Sequence, residues 1–585
     1  MAERVRVAPS AGPRELREVE IAEAYVEALL SHGVSYLFLN PGTDTFPIQE
    51  AVAKRHALGQ PTVEIVLCPF ELPALAAAHG YYAVAGRPQA VLVHVDVGTQ
   101  NLGAMVHNAQ RGRAAVFLSA GRAPYTTDPA VRGTRDTYIH WLQEQLDQHG
   151  IVRNYVKWDY ELRRPDQIGE VMARAYQIAE SDPPGPVYLT LPREVLMERV
   201  DRVLIPDPSR FPPARLGAGD PDLLRRAAEL LVRAERPLVL AAASGRTRAG
   251  WDGLIELAEL LALPVVEWRT RANFPADHPL HLGYNYGLEH GLSEADVVLV
   301  LDHDVPYIPT RTPLSQQATI IQIDLDPVKE RIPLWSFPVD LPIRADTGAA
   351  LPLLAAAARD LLTESDRRRI AERRDRLGAL SEARRAAWRQ QAIAHASTRP
   401  IALQWLGYCL EEFRRENPDI LFIDEAVTSQ VPLFCQVRTT SFGSWFQSGG
   451  SGLGWGIGAA IGAKLAAPER LVVGLIGDGS FLFGVPEASL WIAQRAQAPV
   501  LLVVLNNACY NATKLPLTAA YPEGYSVRTG DFVGIDLTPT PRFDLLAQAV
   551  DAYGERVEEP DQILPALRRA AARVREGQSA VLDVI

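Results

Sequence analysis

The sequence predicts an α/β protein built from three doubly wound parallel-sheet domains. Three observations point there. The chain has 585 residues, room for about three to five domains at roughly 100–200 residues each. Short apolar runs rich in β-branched residues alternate with Ala-rich helical stretches, the pattern of a parallel sheet wrapped by helices. A proline-rich segment and a charge-rich one cut that pattern into three.

The first unit takes strands from Ser35–Leu39, Thr62–Leu67, Ala90–Val95 and Ala115–Ser119 and closes near Pro186–Pro192. Residues 205–215 (IPDPSRFPPAR) then carry four prolines, which continue neither helix nor strand. The first domain is therefore expected over 1–204. A second α/β unit, 217–361, has strands at Pro237–Ala242, Asp296–Leu301 and Thr319–Ile323. Residues 363–400 are dense in Arg, Glu and Asp of interleaved sign, which predicts a solvated connector helix and not a basic binding helix. The third unit, 401–585, has strands at Ile420–Ile423, Leu471–Ile476, Val500–Leu505 and Ala580–Val584, and its layout resembles that of the first.

Composition excludes several function classes. A formal net charge of -11 argues against a nucleic-acid or anionic-membrane surface. Four cysteines with no CxxC form neither a disulfide framework nor a zinc site, as expected for a reducing compartment. No apolar run approaches the roughly 20 residues that span a bilayer, and residues 1–13 lack the apolar core of a secretory signal. A cytoplasmic protein with neither nucleic acid nor membrane as partner is expected.

The stretch from Leu471 to Cys509 carries the chemistry. One apolar run, LVVGLI, ends in Gly477-Asp478-Gly479-Ser480, and a second, VLLVVL, ends in Asn506-Asn507. The intervening residues, 480 to 505, are about the length of one crossover helix and a strand. Two neighbouring parallel strands would deliver an Asp and an Asn pair to one carboxyl edge, where open α/β sheets bind ligands. Glycines flanking Asp478 let backbone approach a phosphate, and Asp and Asn oxygens suit Mg²⁺. Taken alone, Gly-Asp-Gly is a tight turn.

At these residues the chain resembles the thiamine-diphosphate enzymes of the acetolactate synthase, pyruvate oxidase and benzoylformate decarboxylase group, whose cofactor motif is GDG followed some two dozen residues later by NN. The resemblance implies pyrimidine-binding, central and diphosphate-binding domains in that order. It implies that Asp478 and Asn507 bind the metal through side chains, Cys509 through its backbone carbonyl, and that Gly477, Gly479 and Ser480 line the cofactor. Phe70-Glu71, followed by Ala74, Ala77 and His79-Gly80-Tyr81, is similar to the family's Glu-bearing helix. There the acid hydrogen-bonds N1′ of the aminopyrimidine and promotes its imino tautomer, general acid–base work by a carboxyl in an apolar setting. Gly452-Leu453-Gly454-Trp455-Gly456 is similar to the segment whose bulky apolar residue, here Leu453, props the cofactor rings into a V. Its glycines also suit close helix packing.

On the substrate side, Asn40-Pro41-Gly42-Thr43 is similar to the loop of benzoylformate decarboxylase in which a hydroxyl residue follows the Gly, which assigns Thr43. His94 falls where that enzyme has its proton-transferring His, and an imidazole titrating near neutrality suits a relay. Glu425 and Thr428 stand where 2-hydroxyacyl-CoA lyases and oxalyl-CoA decarboxylases have a diphosphate loop. The chain departs from acetolactate synthases at Phe70, where they usually carry His, and at Gly283-Tyr284-Asn285-Tyr286-Gly287, where they carry a Gly-Met-His-Gly-like flavin contact, so the resemblance does not extend to FAD. Asp96 beside the site is unusual, and residues 508–525 are expected to form part of a substrate-facing lid.

The resemblance implies an enzyme acting on a 2-oxo acid by decarboxylation, carboligation or both. A 2-hydroxyacyl-CoA lyase or oxalyl-CoA decarboxylase-like activity is the alternative, and a non-catalytic cofactor-binding regulatory protein is the alternative of another class. It also implies a homodimer or homotetramer with active sites at subunit interfaces.

Overall fold

A computed structural model describes residues 12–285 and 291–585. Among them the backbone forms three six-stranded sheets and one two-stranded ribbon. The ribbon joins β1 (Arg14–Glu20) to β8 (Arg199–Ile205) in antiparallel register, so the first domain's two ends meet before the proline-rich segment. Its first sheet has the order β3-β2-β4-β5-β7-β6, from β2 (Tyr36–Leu39), β3 (Glu64–Leu67), β4 (Ala90–Val93), β5 (Phe117–Arg122), β6 (Asp159–Glu161) and β7 (Val187–Pro192). Every pair in it is parallel.

The central sheet has the order β11-β10-β9-β12-β13-β14, from β9 (Pro237–Ala241), β10 (Val265–Glu267), β11 (His281–Tyr284), β12 (Val297–Leu301), β13 (Thr319–Asp324) and β14 (Leu341–Arg344). It too is wholly parallel. Counted within the domain this is 3-2-1-4-5-6, a doubly wound order that reverses between β9 and β12. In the third sheet β15 (Leu421–Glu425) pairs in parallel with β16 (Trp445–Phe446). There β17 (Val472–Gly477), β18 (Leu501–Leu505), β20 (Ala580–Val584) and β19 (Tyr553–Val557) follow one another as β4, β5, β7 and β6 do in the first sheet. The likeness of layout between first and third units thus extends to their strand order.

Central strands are buried on both faces, as parallel sheets covered by helices must be: Leu37, Leu92, Phe117 and Leu189 fill one core, and Val239, Leu299 and Ile321 another. The expected strands are all present, with ends displaced by a few residues. Strands β6, β10 and β16 have only two or three residues, too short a run to show a period. The four residues of β11 (HLGY) and β14 (LPIR) are broken by Gly or Pro and polar side chains, unlike the continuous apolar YLFL and AVLV of β2 and β4.

The charge-rich segment is a single helix, Glu364–Ala394, opened by a Thr363/Asp366 capping box. Its outer face is solvated as expected, but Arg373 is buried. That guanidinium donates to the carbonyls of Ala234, Leu261 and Ala262, the terminal carbonyls of the helices Pro221–Arg233 and Arg248–Leu261. Those orphan acceptors are satisfied by one cation. Tyr286 and Gly287 of the flavin-like stretch lie outside the described residues. Among those described, no helix is long and apolar enough to cross a membrane.

Candidate active site

Strands β17 and β18 run side by side with Gly477 opposite Leu505, so the chain leaves both at one edge and the two motifs converge. Asp478 is buried. Its Oδ1 accepts the Gly479 N–H at 2.8 Å and its Oδ2 accepts the Cys509 N–H at 3.3 Å. Burial pushes the carboxyl above the usual Asp range, opposed only in part by the N–H groups of Gly479, Cys509, Ala508 and Asn507. Asn507 is exposed, while Asn506 turns inward and donates to Asp583 Oδ1 at 2.8 Å. Between Asn507 and Cys509, Ala508 holds φ at +54°, a left-handed conformation costly for a residue with a Cβ. Ser480 is buried, and a Cβ on Gly479 would lie 2.5 Å from the Tyr510 ring, so only glycine fits.

This donor set fits a hard cation. The buried Asp478 carboxylate is met by backbone N–H groups, and the oxygens of Asp478, Asn507 and the Cys509 carbonyl match the preference of Mg²⁺. The Cys509 carbonyl accepts the Asn511 N–H at 2.8 Å, which leaves it a second lone pair. Among the described residues no group of three or more His, Cys, Asp or Glu could hold a metal. An ion here would therefore take its remaining ligands from phosphate oxygens and water.

In the first domain, Glu71 opens the helix Glu71–Ala85 and is 6% exposed. Its Oε2 accepts the Asn101 amide at 3.0 Å, and a Cβ on Gly98 would lie 3.1 Å from its Oε1. Gly98 and Asn101 belong to the short helix Val95–Asn101, which His94 precedes. The Nδ1–H of His94 donates to Asp44 Oδ1. Burial alone would lower the His94 pKa, but Asp44, with Gln143 and Asp96, outweighs it and the net displacement is upward. Val95 has φ +26°, a strained value for a β-branched residue. Asp96 is buried, with Oδ1 unpartnered and Oδ2 accepting from Gln100 at 3.4 Å. Thr43 is exposed, and its carbonyl accepts from Arg193. The polar side chain of this loop that meets His94 is its neighbour Asp44.

Leu453 lies half-buried in a loop pinned by Asn108, which accepts the Gly452 N–H at 2.9 Å and donates to the Gly452 carbonyl at 2.8 Å. Gly454 follows at φ +94° and starts the helix Trp455–Ala466. That helix lies against Glu71–Ala85 at glycine contacts: a Cβ on Gly458 would be 2.6 Å from that of Ala76, and one on Gly462 would be 1.8 Å from the Ala77 carbonyl. Close packing by small residues is therefore realised here. Thr428 sits, half-buried, in the 3₁₀ turn Val427–Ser429 after β15, beside Val427 at φ +48°. The segment after Cys509 forms two helices, Asn511–Ala520 and Tyr525–Thr529, with no buried residue in either.

Residues 19–151 match the N-terminal TPP binding domain of thiamine pyrophosphate enzymes, residues 224–354 the central domain, and residues 428–584 the C-terminal TPP binding domain. The chain belongs to the thiamine pyrophosphate enzyme family. It is 25% identical to a probable acetolactate synthase large subunit of Methanocaldococcus jannaschii, across 96% of this chain and 91% of that one. It is 28% identical to a probable 2-ketoarginine decarboxylase of Pseudomonas aeruginosa, across 96% and 92%. Its fold matches that of a 4-hydroxybenzoylformate decarboxylase from Rhodococcus jostii with a TM-score of 0.76 at 22% identity, covering 97% of this chain and 99% of that one.

As a thiamine pyrophosphate enzyme the chain carries Glu71 and His94 in its N-terminal domain, and Leu453, Asp478 and Asn507 in its C-terminal one. Sequence reading missed Asp44, Asn101 and Asn108 as partners of His94, Glu71 and Gly452. Asn101 stands seven residues after His94, and Asp44 directly after Thr43. Nothing in a linear pattern shows which distant side chain each one meets.

Proposed function

We propose that this chain is a thiamine-diphosphate- and Mg²⁺-dependent, acetolactate synthase-like enzyme that acts on a 2-oxo acid by decarboxylation, carboligation or both. The observation that carries the proposal is the meeting of the Asp478 carboxylate with the backbone of Asn507 to Cys509. Names of relatives, acetolactate synthase and 2-ketoarginine decarboxylase among them, support the same substrate class.

In this reading Asp478, Asn507 and the Cys509 carbonyl hold the ion. Gly477, Gly479 and Ser480 line the diphosphate, Thr428 is a further cofactor-binding residue, and Leu453 supports the rings. When bound, the cofactor supplies an electron sink for C–C bond cleavage and formation. Glu71 exchanges a proton at the pyrimidine nitrogen, and its burial strengthens that hydrogen bond by excluding water. Asn101 holds the Glu71 carboxylate in place. His94 exchanges a proton with the substrate, and Thr43 offers a hydroxyl beside it. The working unit is a cytoplasmic homodimer or homotetramer in which Glu71 of one protomer faces Asp478 of another.

The test is incubation of the purified chain with thiamine diphosphate, Mg²⁺ and a panel of 2-oxo acids and 2-hydroxyacyl-CoAs, following CO₂ and carbonyl products. CO₂ release from a 2-oxo acid that stops on chelation supports the proposal. Turnover confined to acyl-CoA thioesters would replace it with the lyase reading, and a chain that binds cofactor but converts nothing would favour a regulatory role. Thermal shifts with FAD and CoA report on ligands of the central domain.

A further inference from the structure

The Asp44 carboxylate occupies a place built for it. It is 1% exposed and wedged between two glycines: a Cβ on Gly121 would lie 1.4 Å from Oδ2, and one on Gly42 would lie 2.7 Å from Oδ1 and 2.1 Å from His94 Nδ1. Any side chain at either glycine would evict the carboxylate or the imidazole. Its Oδ1 accepts from His94 and its Oδ2 from the Val95 N–H at 3.3 Å, so one group ties down both the ring and the strained backbone after it. The His94 side chain remains 20% exposed.

We propose that Asp44 is the positioning residue of the proton relay: it fixes the His94 ring through Nδ1, so that Nε2 is the nitrogen that exchanges protons with the substrate. This rests on the reading of His94 given above. A carboxylate in this place selects the tautomer protonated at Nδ1 and stabilises the imidazolium. The charged groups facing the ring are Asp44, from the loop after β2, and Asp96, from the helix His94 precedes, with neutral Gln143 beside them. Buried His140 faces Asp44 from another segment.

The test compares the wild type with Asp44→Asn, which preserves shape and hydrogen-bonding capacity but removes the charge. In the cofactor-free full-length chain, NMR titration of His94 should show its midpoint falling by about one pH unit or more. With thiamine diphosphate, Mg²⁺ and an accepted 2-oxo acid, kcat should fall about 10- to 100-fold with little change in KM, and the rate profile should move to lower pH with the His94 midpoint. Asp44→Ser, smaller and uncharged, serves the same comparison if Asp44→Asn fails to fold. An unmoved His94 midpoint together with an unmoved rate profile overturns the role of Asp44. Full activity in His94→Ala would instead overturn the underlying reading of His94, an outcome the NMR titration does not share.

Discussion

Asn108 grips Gly452 by both of its backbone polar groups, accepting the N–H at 2.9 Å and donating to the carbonyl at 2.8 Å. Asn108 itself is fully buried, so the clamp is made where water cannot replace it. It joins the first and last thirds of the sequence at the residue before Leu453. Asn108→Ala leaves two backbone groups of a partly buried loop without partners, which costs about 1–3 kcal/mol. Chemical denaturation should show that loss, and thiamine diphosphate should bind more weakly by calorimetry because Leu453 is no longer held.

Glu71→Gln keeps the acceptor that Asn101 uses and removes the exchangeable proton. Turnover should fall by about 10²–10⁴ while calorimetric binding of thiamine diphosphate with Mg²⁺ stays close to wild type. Full activity in that variant defeats the assignment of Glu71.

Asp478→Asn separates stability from binding. Burial raises the Asp478 pKa, so the ionised group works against the cofactor-free fold at neutral pH. The variant should melt at least as high as wild type when no cofactor is added. It should also lose the stabilisation that wild type gains from thiamine diphosphate and Mg²⁺, about 2.7 kcal/mol at a hundredfold excess over Kd. Chelation of the wild type should reproduce that loss, as differential scanning fluorimetry can show.

Asp583 provides a pH test one step behind the site. Burial pushes its pKa up to about 6, against the Asn506 hydrogen bond and nearby Arg556. A carboxyl with a raised folded-state pKa favours the fold while protonated. That contribution is complete below about pH 4 and is lost as pH rises through 6, up to about 3 kcal/mol. Asp583→Asn keeps an acceptor for Asn506 and cannot ionise. Urea denaturation should find the variant and wild type similar at pH 4 and the variant more stable at pH 7.

Much of the fold is legible in the sequence because burial on both faces leaves a continuous apolar run, and four- to six-residue runs such as LVVGLI and VLLVVL need no partner to be recognised. Val265–Glu267 is too short to announce itself and His281–Tyr284 is not a continuous apolar run, and both are held in place by the sheet around them. The ribbon of Arg14–Glu20 with Arg199–Ile205 joins segments far apart in the chain, a pairing that no local pattern encodes.

What the sequence by itself determined is the chemistry available: a glycine-flanked Asp and an Asn pair at two strand ends, and an acid opening an Ala-rich helix. The tertiary structure decided which groups meet. It put Asp44, and not exposed Thr43, against the His94 ring, gave Glu71 its Asn101, and tied Gly452 to Asn108. Side-chain pairing depends on distances between segments tens to hundreds of residues apart, and those are set when helices and sheets pack, not by the local preferences a linear sequence displays.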